Sequence, residues 1–162
     1  VAAGTLKLGV AQALPTGTSV ILAGGTLDLN GFTLTNAISG SGTLANGTLQ
    51  ALLSPAGAGT VGTSALTLAA ASVRGTYLAD FTAAGACDRI DVTGSINLSD
   101  LVLQIVDPAG LNRRHAYTIL TCTGTRNGTF SSTNLPQGWH VSYSVPNTVK
   151  LFFTQGTMIR VR

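Results

Sequence analysis

Short stretches of strict alternation punctuate the first half of the chain. Thr5-Leu6-Lys7-Leu8, Thr26-Leu27-Asp28-Leu29 and Thr43-Leu44-Ala45-Asn46 each set leucine against a polar or small neighbour. Such a period of two predicts strands with one buried and one solvated face. Gly-Thr-Leu opens all three runs and recurs at Gly47-Thr48-Leu49, while Leu66-Thr67-Leu68 alternates without that opening. From Leu6 to Leu27, Leu44 and Leu66 the steps are 21, 17 and 22 residues. A recurrence near twenty residues predicts the coils of a parallel β-helix (β-solenoid), in which each coil buries its apolar face only by stacking on the next.

One segment admits a second reading. In Leu27-Asp28-Leu29-Asn30-Gly31-Phe32-Thr33-Leu34 an Asn-Gly pair separates two alternating runs, the strongest local signal for a β-hairpin. Read alone it predicts an antiparallel β-sandwich. The long-range recurrence favours parallel coils, with Asn30-Gly31 supplying the left-handed backbone of a corner.

Beyond Val73 the pattern is stronger and less regular. Arg89-Ile90-Asp91-Val92, Ser95-Ile96-Asn97-Leu98, Leu101–Val106, Tyr117–Leu120, His140–Val145 and Thr148–Phe153 all read as strands. Asp107-Pro108-Ala109-Gly110 is a turn, and Asn112–His115 a polar loop tip. Four of the five Phe, all three Tyr and Trp139 lie in this half. Larger side chains fit a β cap that closes one end of a thin solenoid, which otherwise exposes core and strand edge. The expected division is solenoid coils over 1–73 and continuation plus cap over 74–162, with a seam at Ser72–Gly75.

Charge sharpens this division. Charged residues are 9% of the 162, all six acids are Asp, and the net charge is +3. Only Lys7 and Asp28 are charged before Arg74. A helical bundle needs charged outer faces, and a disordered chain would not carry 45 Leu, Ile, Val and Phe residues. No run is apolar for the roughly 18 residues of a membrane-spanning helix. The chain begins at Val1 without a leader-like segment, the pattern of a processed product or excised fragment. Its Thr-, Ser-, Asn- and Gly-rich surface suits an exported protein.

The order of motifs resembles a known family. Gly4–Leu8 through Ala11, Leu14 and Pro15, then Gly25–Gly31 and Ile38–Leu44, is similar to an autotransporter-associated β-strand repeat. Gly75-Thr76-Tyr77, Cys87–Gly94, Tyr117–Thr121 and Gly128-Thr129-Phe130 resemble the distal part of an autotransporter passenger. The resemblance implies a right-handed parallel β-helix at a bacterial surface or outside the cell, with a C-terminal part that caps it and helps nucleate folding. Autotransporters end in a membrane β-barrel; this sequence has no such segment, so export through a barrel of its own is not implied.

The candidate chemistry is sparse. His115 sits in a basic tip with Arg113 and Arg114, and His140 faces outward beside Val141; neither accompanies a Gly-x-Ser-x-Gly elbow. Asp88 and Asp91, three apart in one strand region, face opposite ways, and with no Glu a glycoside-cleaving carboxylate pair is disfavoured. The expectation is therefore a protein without catalytic residues, metal or cofactor. Cys87 and Cys122 either form one disulfide or remain two buried thiols. Trp139 and Tyr143 form either a sugar-stacking platform or cap packing. Arg113-Arg114 and Arg160-Val161-Arg162 are too small a basic surface for nucleic acid. Three sequons, at Asn46, Asn97 and Asn127, are chance matches in an Asn- and Thr-rich chain. Two functions rank above an enzyme: a structural module of a fibre-like protein, self-associating end to end through an edge at Thr5, Leu6, Lys7 and Leu8, and an adhesin for host or matrix glycans. A carbohydrate-active β-helix enzyme ranks third.

Overall fold

The computed structural model describes residues 1–62 and 64–155, and these are all-β with one short 3-10 turn at Pro108–Gly110. Among them no helix is long and apolar enough to cross a membrane. Strands β1 (Thr5–Lys7), β2 (Val20–Asp28), β4 (Ile38–Ser54), β5 (Leu66–Ala79), β6 (Ile90–Thr93) and β9 (Tyr117–Cys122) pair successively, each parallel to the last. The short β3 (Thr33–Leu34) lies parallel to the second part of β4, and β8 (Leu101–Ile105) lies parallel to the second part of β5. Strands β7 (Ile96–Asn97) and β10 (Arg126–Asn127) form a separate parallel pair, and β11 (Ser132–Thr133) continues from β8. The last two strands add an antiparallel edge: β13 (Thr148–Phe153) lies antiparallel on β9 and β12 (Trp139–Ser142) antiparallel on β13, so among the described strands β13 alone runs against the rest of this sheet.

The register follows the alternation read from the sequence. Leu6, Leu27, Leu44, Leu68, Val92 and Cys122 occupy one column, one residue per layer. Leu27, Leu44 and Leu68 are fully buried. Two further inward columns run Leu34–Leu49–Val73 and Leu53–Tyr77–Leu103. Each buried leucine contributes about 1.5–3 kcal/mol of apolar burial, so the columns hold the layers together. The outward neighbours align as well: Thr5, Thr26, Thr43, Thr67, Asp91 and Thr121 form a polar column. There the Thr121 hydroxyl donates to Asp91 Oδ1 at 2.6 Å.

Leu44 pairs with Leu68 rather than Leu66, which belongs instead to a column with Ile90 and Leu120. The third step is thus 24 residues, not 22.

The Asn30-Gly31 pair is a corner, not a hairpin turn. Both residues are left-handed, with φ of 51° and 84°. The flanking β2 and β3 do not pair with each other; each lies parallel to β4. In later layers a left-handed residue follows two positions after the column residue, at Asn46, Ala70 and Gly94, one position earlier than Asn30 in the first. Buried Asn36 pins the first long connection, donating through Nδ2 to the Pro15 and Thr18 carbonyls at 2.8 Å each.

The seam expected at Ser72–Gly75 falls inside β5, and one hydrophobic core runs across it from Leu8 to Leu151. Strand direction changes later, where β13 meets β9. The aromatic residues of the second half gather there: Trp139 packs between Tyr117 and Phe153, with ring centroids at 6.0 and 5.7 Å.

Candidate functional site

The polar centre of the molecule lies where β5 ends. Residues 80–88 form a tight antiparallel turn, held by Asp88 N–H donating to the Asp80 carbonyl (3.0 Å) and Thr82 N–H to that of Ala86 (2.9 Å). This places two buried carboxyl groups side by side. Both turn toward the connection between β4 and β5: Gly59 N–H donates to Asp80 Oδ2 and Gly62 N–H to Asp88 Oδ1, each at 2.8 Å. Beneath them, the buried Tyr77 hydroxyl lies within hydrogen-bonding distance of the Asp88 and Ile119 carbonyls, at 2.9 and 3.1 Å. Burial, opposed by the Gly62 amide, pushes the Asp88 carboxyl up to about 6, with neighbouring Asp80 adding to the rise. Asp80 rises too, chiefly by burial. A carboxyl that titrates near neutrality is what general acid–base chemistry requires. These oxygens, however, face backbone amides, and the arrangement is that of a clasp.

Beside the clasp lies a cleft of about 710 Å³, lined in part by Gly62, Thr82, Cys87, Arg89 and Thr118. Cys87 donates through Sγ to the Thr118 carbonyl (3.3 Å), and burial pushes its thiol up to about 11. It is therefore a thiol at neutral pH, without the thiolate a nucleophile needs. Arg89 is engaged with Asp91 at 2.9 Å. Among the described residues no three His, Cys, Asp or Glu side chains gather to hold a metal ion.

Of the two states open to the cysteines, the structure has free thiols. Cys87 lies against Thr118, whereas Cys122 ends the same strand four residues further on and donates to the Gly124 carbonyl (3.4 Å). Four residues of strand span about 13 Å, well beyond the ~7 Å Cα separation a disulfide tolerates. Trp139 and Tyr143 form no sugar platform. Trp139 is buried in the aromatic cluster, and Tyr143 is held by its hydroxyl accepting from Phe130 N–H (3.1 Å) and by the Arg126 guanidinium 4.9 Å from its ring centroid.

His140 is exposed as expected, and its ring lies 5.9 Å from that of Phe152. His115 packs against Tyr117 at 6.2 Å. Arg113 is exposed but stacks over Phe153 at 4.5 Å. Arg160 and Arg162 lie outside the described residues. Thr5, Leu6 and Lys7 form a strand that is exposed throughout and, among the described residues, paired on one side only, while Leu8 turns into the core. The Asp80–Asp88 clasp is what sequence reasoning missed. Two aspartates spaced evenly about the small-residue segment Thr82–Ala86 were its available signal. Comparison of the chain with protein families, characterised proteins and solved structures finds no match.

Proposed function

We propose that this chain is a length of parallel β-helix, capped at its C-terminal end by β12 and β13, and that it serves as a non-catalytic structural module of a bacterial surface or secreted fibre-like protein. The observation that carries this reading is the column from Leu6 to Cys122, in which each parallel strand returns to one register across six layers. Repetition of this kind makes an elongated scaffold, because each layer contacts only its neighbours. The resemblance to autotransporter-associated repeats and passenger ends supports an extracellular setting. The buried carboxyl pair supports a structural role, since its oxygens hold a connection in place. An adhesin built on the same scaffold would need a surface other than Trp139 and Tyr143.

Antibody labelling of intact producing cells tests the proposal. It predicts label on the cell surface or on released fibres, removable by external protease. Label seen only after permeabilisation contradicts it, as does sugar release from polysaccharide by the purified protein that Asp88→Asn abolishes.

A further inference from the structure

We infer that the outer face of the C-terminal cap binds an acidic polysaccharide, with one sugar ring stacked on Phe152 and His140 and its carboxylate on Lys150. The inference goes beyond the scaffold reading, and the register of the last strands makes the surface it needs. In β13, Val149 and Leu151 are buried, so Thr148, Lys150 and Phe152 turn to the other side of the sheet. In β12, buried Trp139 likewise leaves His140 and Ser142 outward. Pairing sets His140 opposite Phe152 and Ser142 opposite Lys150, while Thr118 of β9 flanks Lys150 on its other side.

Phe152 differs from its aromatic neighbours. Trp139 and Phe153 pack against each other and the core. Phe152 stays half-exposed, with the exposed His140 ring beside it at 5.9 Å and inclined by 40°. Two adjoining rings on an outer sheet face form a small apolar platform with a wet rim. That suits a pyranose, whose C–H face is apolar and whose hydroxyls stay in water.

Charge selects the sugar. Lys150 stands two residues along β13 from Phe152, about 6.8 Å away, within reach of a carboxylate on a stacked ring. Among the described residues it makes no ion pair. Asp91 shares this face, but both its oxygens are engaged: the Thr121 hydroxyl donates to one at 2.6 Å and Arg89 to the other at 2.9 Å. Beyond Asp107 the chain has no acidic residue. An acidic sugar therefore gives Lys150 a charge-assisted partner that a neutral one does not.

Room for further sugars adjoins the platform. Thr118 also lines the cleft of about 710 Å³ beside the clasp, together with Arg89. A polymer crossing β13 and β9 passes from the rings, over Lys150, to the hydroxyl and guanidinium donors of that cleft. Other partners fit less well. One apolar pair and one unpaired cation fall short of the apolar centre of a protein interface, and of the roughly four or more cations that hold an anionic lipid surface.

Titration calorimetry and NMR of the full chain, with polygalacturonate and hyaluronate oligomers as probes and methyl-esterified polygalacturonate as the neutral control, test this. At least one acidic probe is expected to bind, to shift the Phe152 and His140 ring resonances, and to exceed the ester in affinity by about tenfold or more. Lys150→Gln should bring the acidic probe down to the level of the ester. Phe152→Ala should weaken it by about tenfold, and Phe152→Leu, which keeps the apolar bulk without the ring, should do the same if the alanine variant does not fold. Arg114→Ala, in the exposed tip, should change affinity by less than about twofold. The inference is overturned if neither acidic probe binds, if acid and ester bind alike, or if the ring resonances stay still. Equal losses from Lys150→Gln and Arg114→Ala overturn it too, since charge anywhere on the surface then suffices, as does binding to phosphatidylglycerol vesicles without binding to either polysaccharide. Any of these removes this surface alone; the scaffold reading stands or falls separately, on the labelling of cells.

Discussion

Asp88 shows how one residue's environment sets a property of the whole fold. Its carboxyl is buried between the Gly62 and Asp80 amides, and burial pushes it up to about 6, from an ordinary value of 3.8. The native state therefore holds this proton more tightly than the unfolded chain. The associated stability is present in full below about pH 4 and is lost as pH rises through about 6. Allowing for solvent screening, the loss is on the order of 1–2 kcal/mol. Urea unfolding at pH 4.5 and 7.5 should find the protein more stable at the lower pH, with Asp80 acting in the same direction. Asp88→Asn should flatten most of the difference. A second prediction at this scale concerns Ala70, whose φ of 51° places a β-carbon in the left-handed region. Ala70→Gly relieves that strain and should raise stability by about 0.5–1 kcal/mol in the same measurement, since Ala70 is exposed and has little packing to lose.

At the scale of elements, the leucine column separates inner layers from the end layer. Leu44→Ala empties a fully buried site and should cost about 2–5 kcal/mol. Leu6→Ala, at the half-exposed end, should cost less than about 1 kcal/mol in dilute solution. Denaturant unfolding of both variants checks the contrast. The first-half strands were legible because period-two alternation and Gly-Thr-Leu recurrence report the same face twice. The corner at Asn30-Gly31 was legible only through that recurrence, since a hairpin turn and a solenoid corner demand the same left-handed pair. Register at Leu68 was not legible, because Leu66 and Leu68 alternate identically and only the length of the preceding connection decides between them. The clasp escaped for a related reason. Asp80 and Asp88 look like ordinary turn residues until the chain brings the amides of Gly59 and Gly62 onto them.

For the molecule as a whole, the uneven charge distribution has a structural counterpart. The layers before Arg74 carry only Lys7 and Asp28, and these two stand in register at the open end. The later half carries the Asp80–Asp88 clasp, the Arg89–Asp91 and Arg74–Asp100 ion pairs, and the arginines stacked on Phe153 and Tyr143. Among the described residues the first strands of the sheet are thus nearly neutral, and the last form a cross-braced aromatic cap. The register of the layers is the claim on which the fold and the proposed scaffold role both depend. Nuclear Overhauser contacts between leucine methyl groups, in protein labelled at leucine, test it most directly. The parallel register predicts a chain of contacts from Leu6 to Leu27, Leu27 to Leu44 and Leu44 to Leu68. Missing contacts along that series, with cross-strand contacts instead between residues 27–29 and 32–34 around Asn30-Gly31, would contradict it.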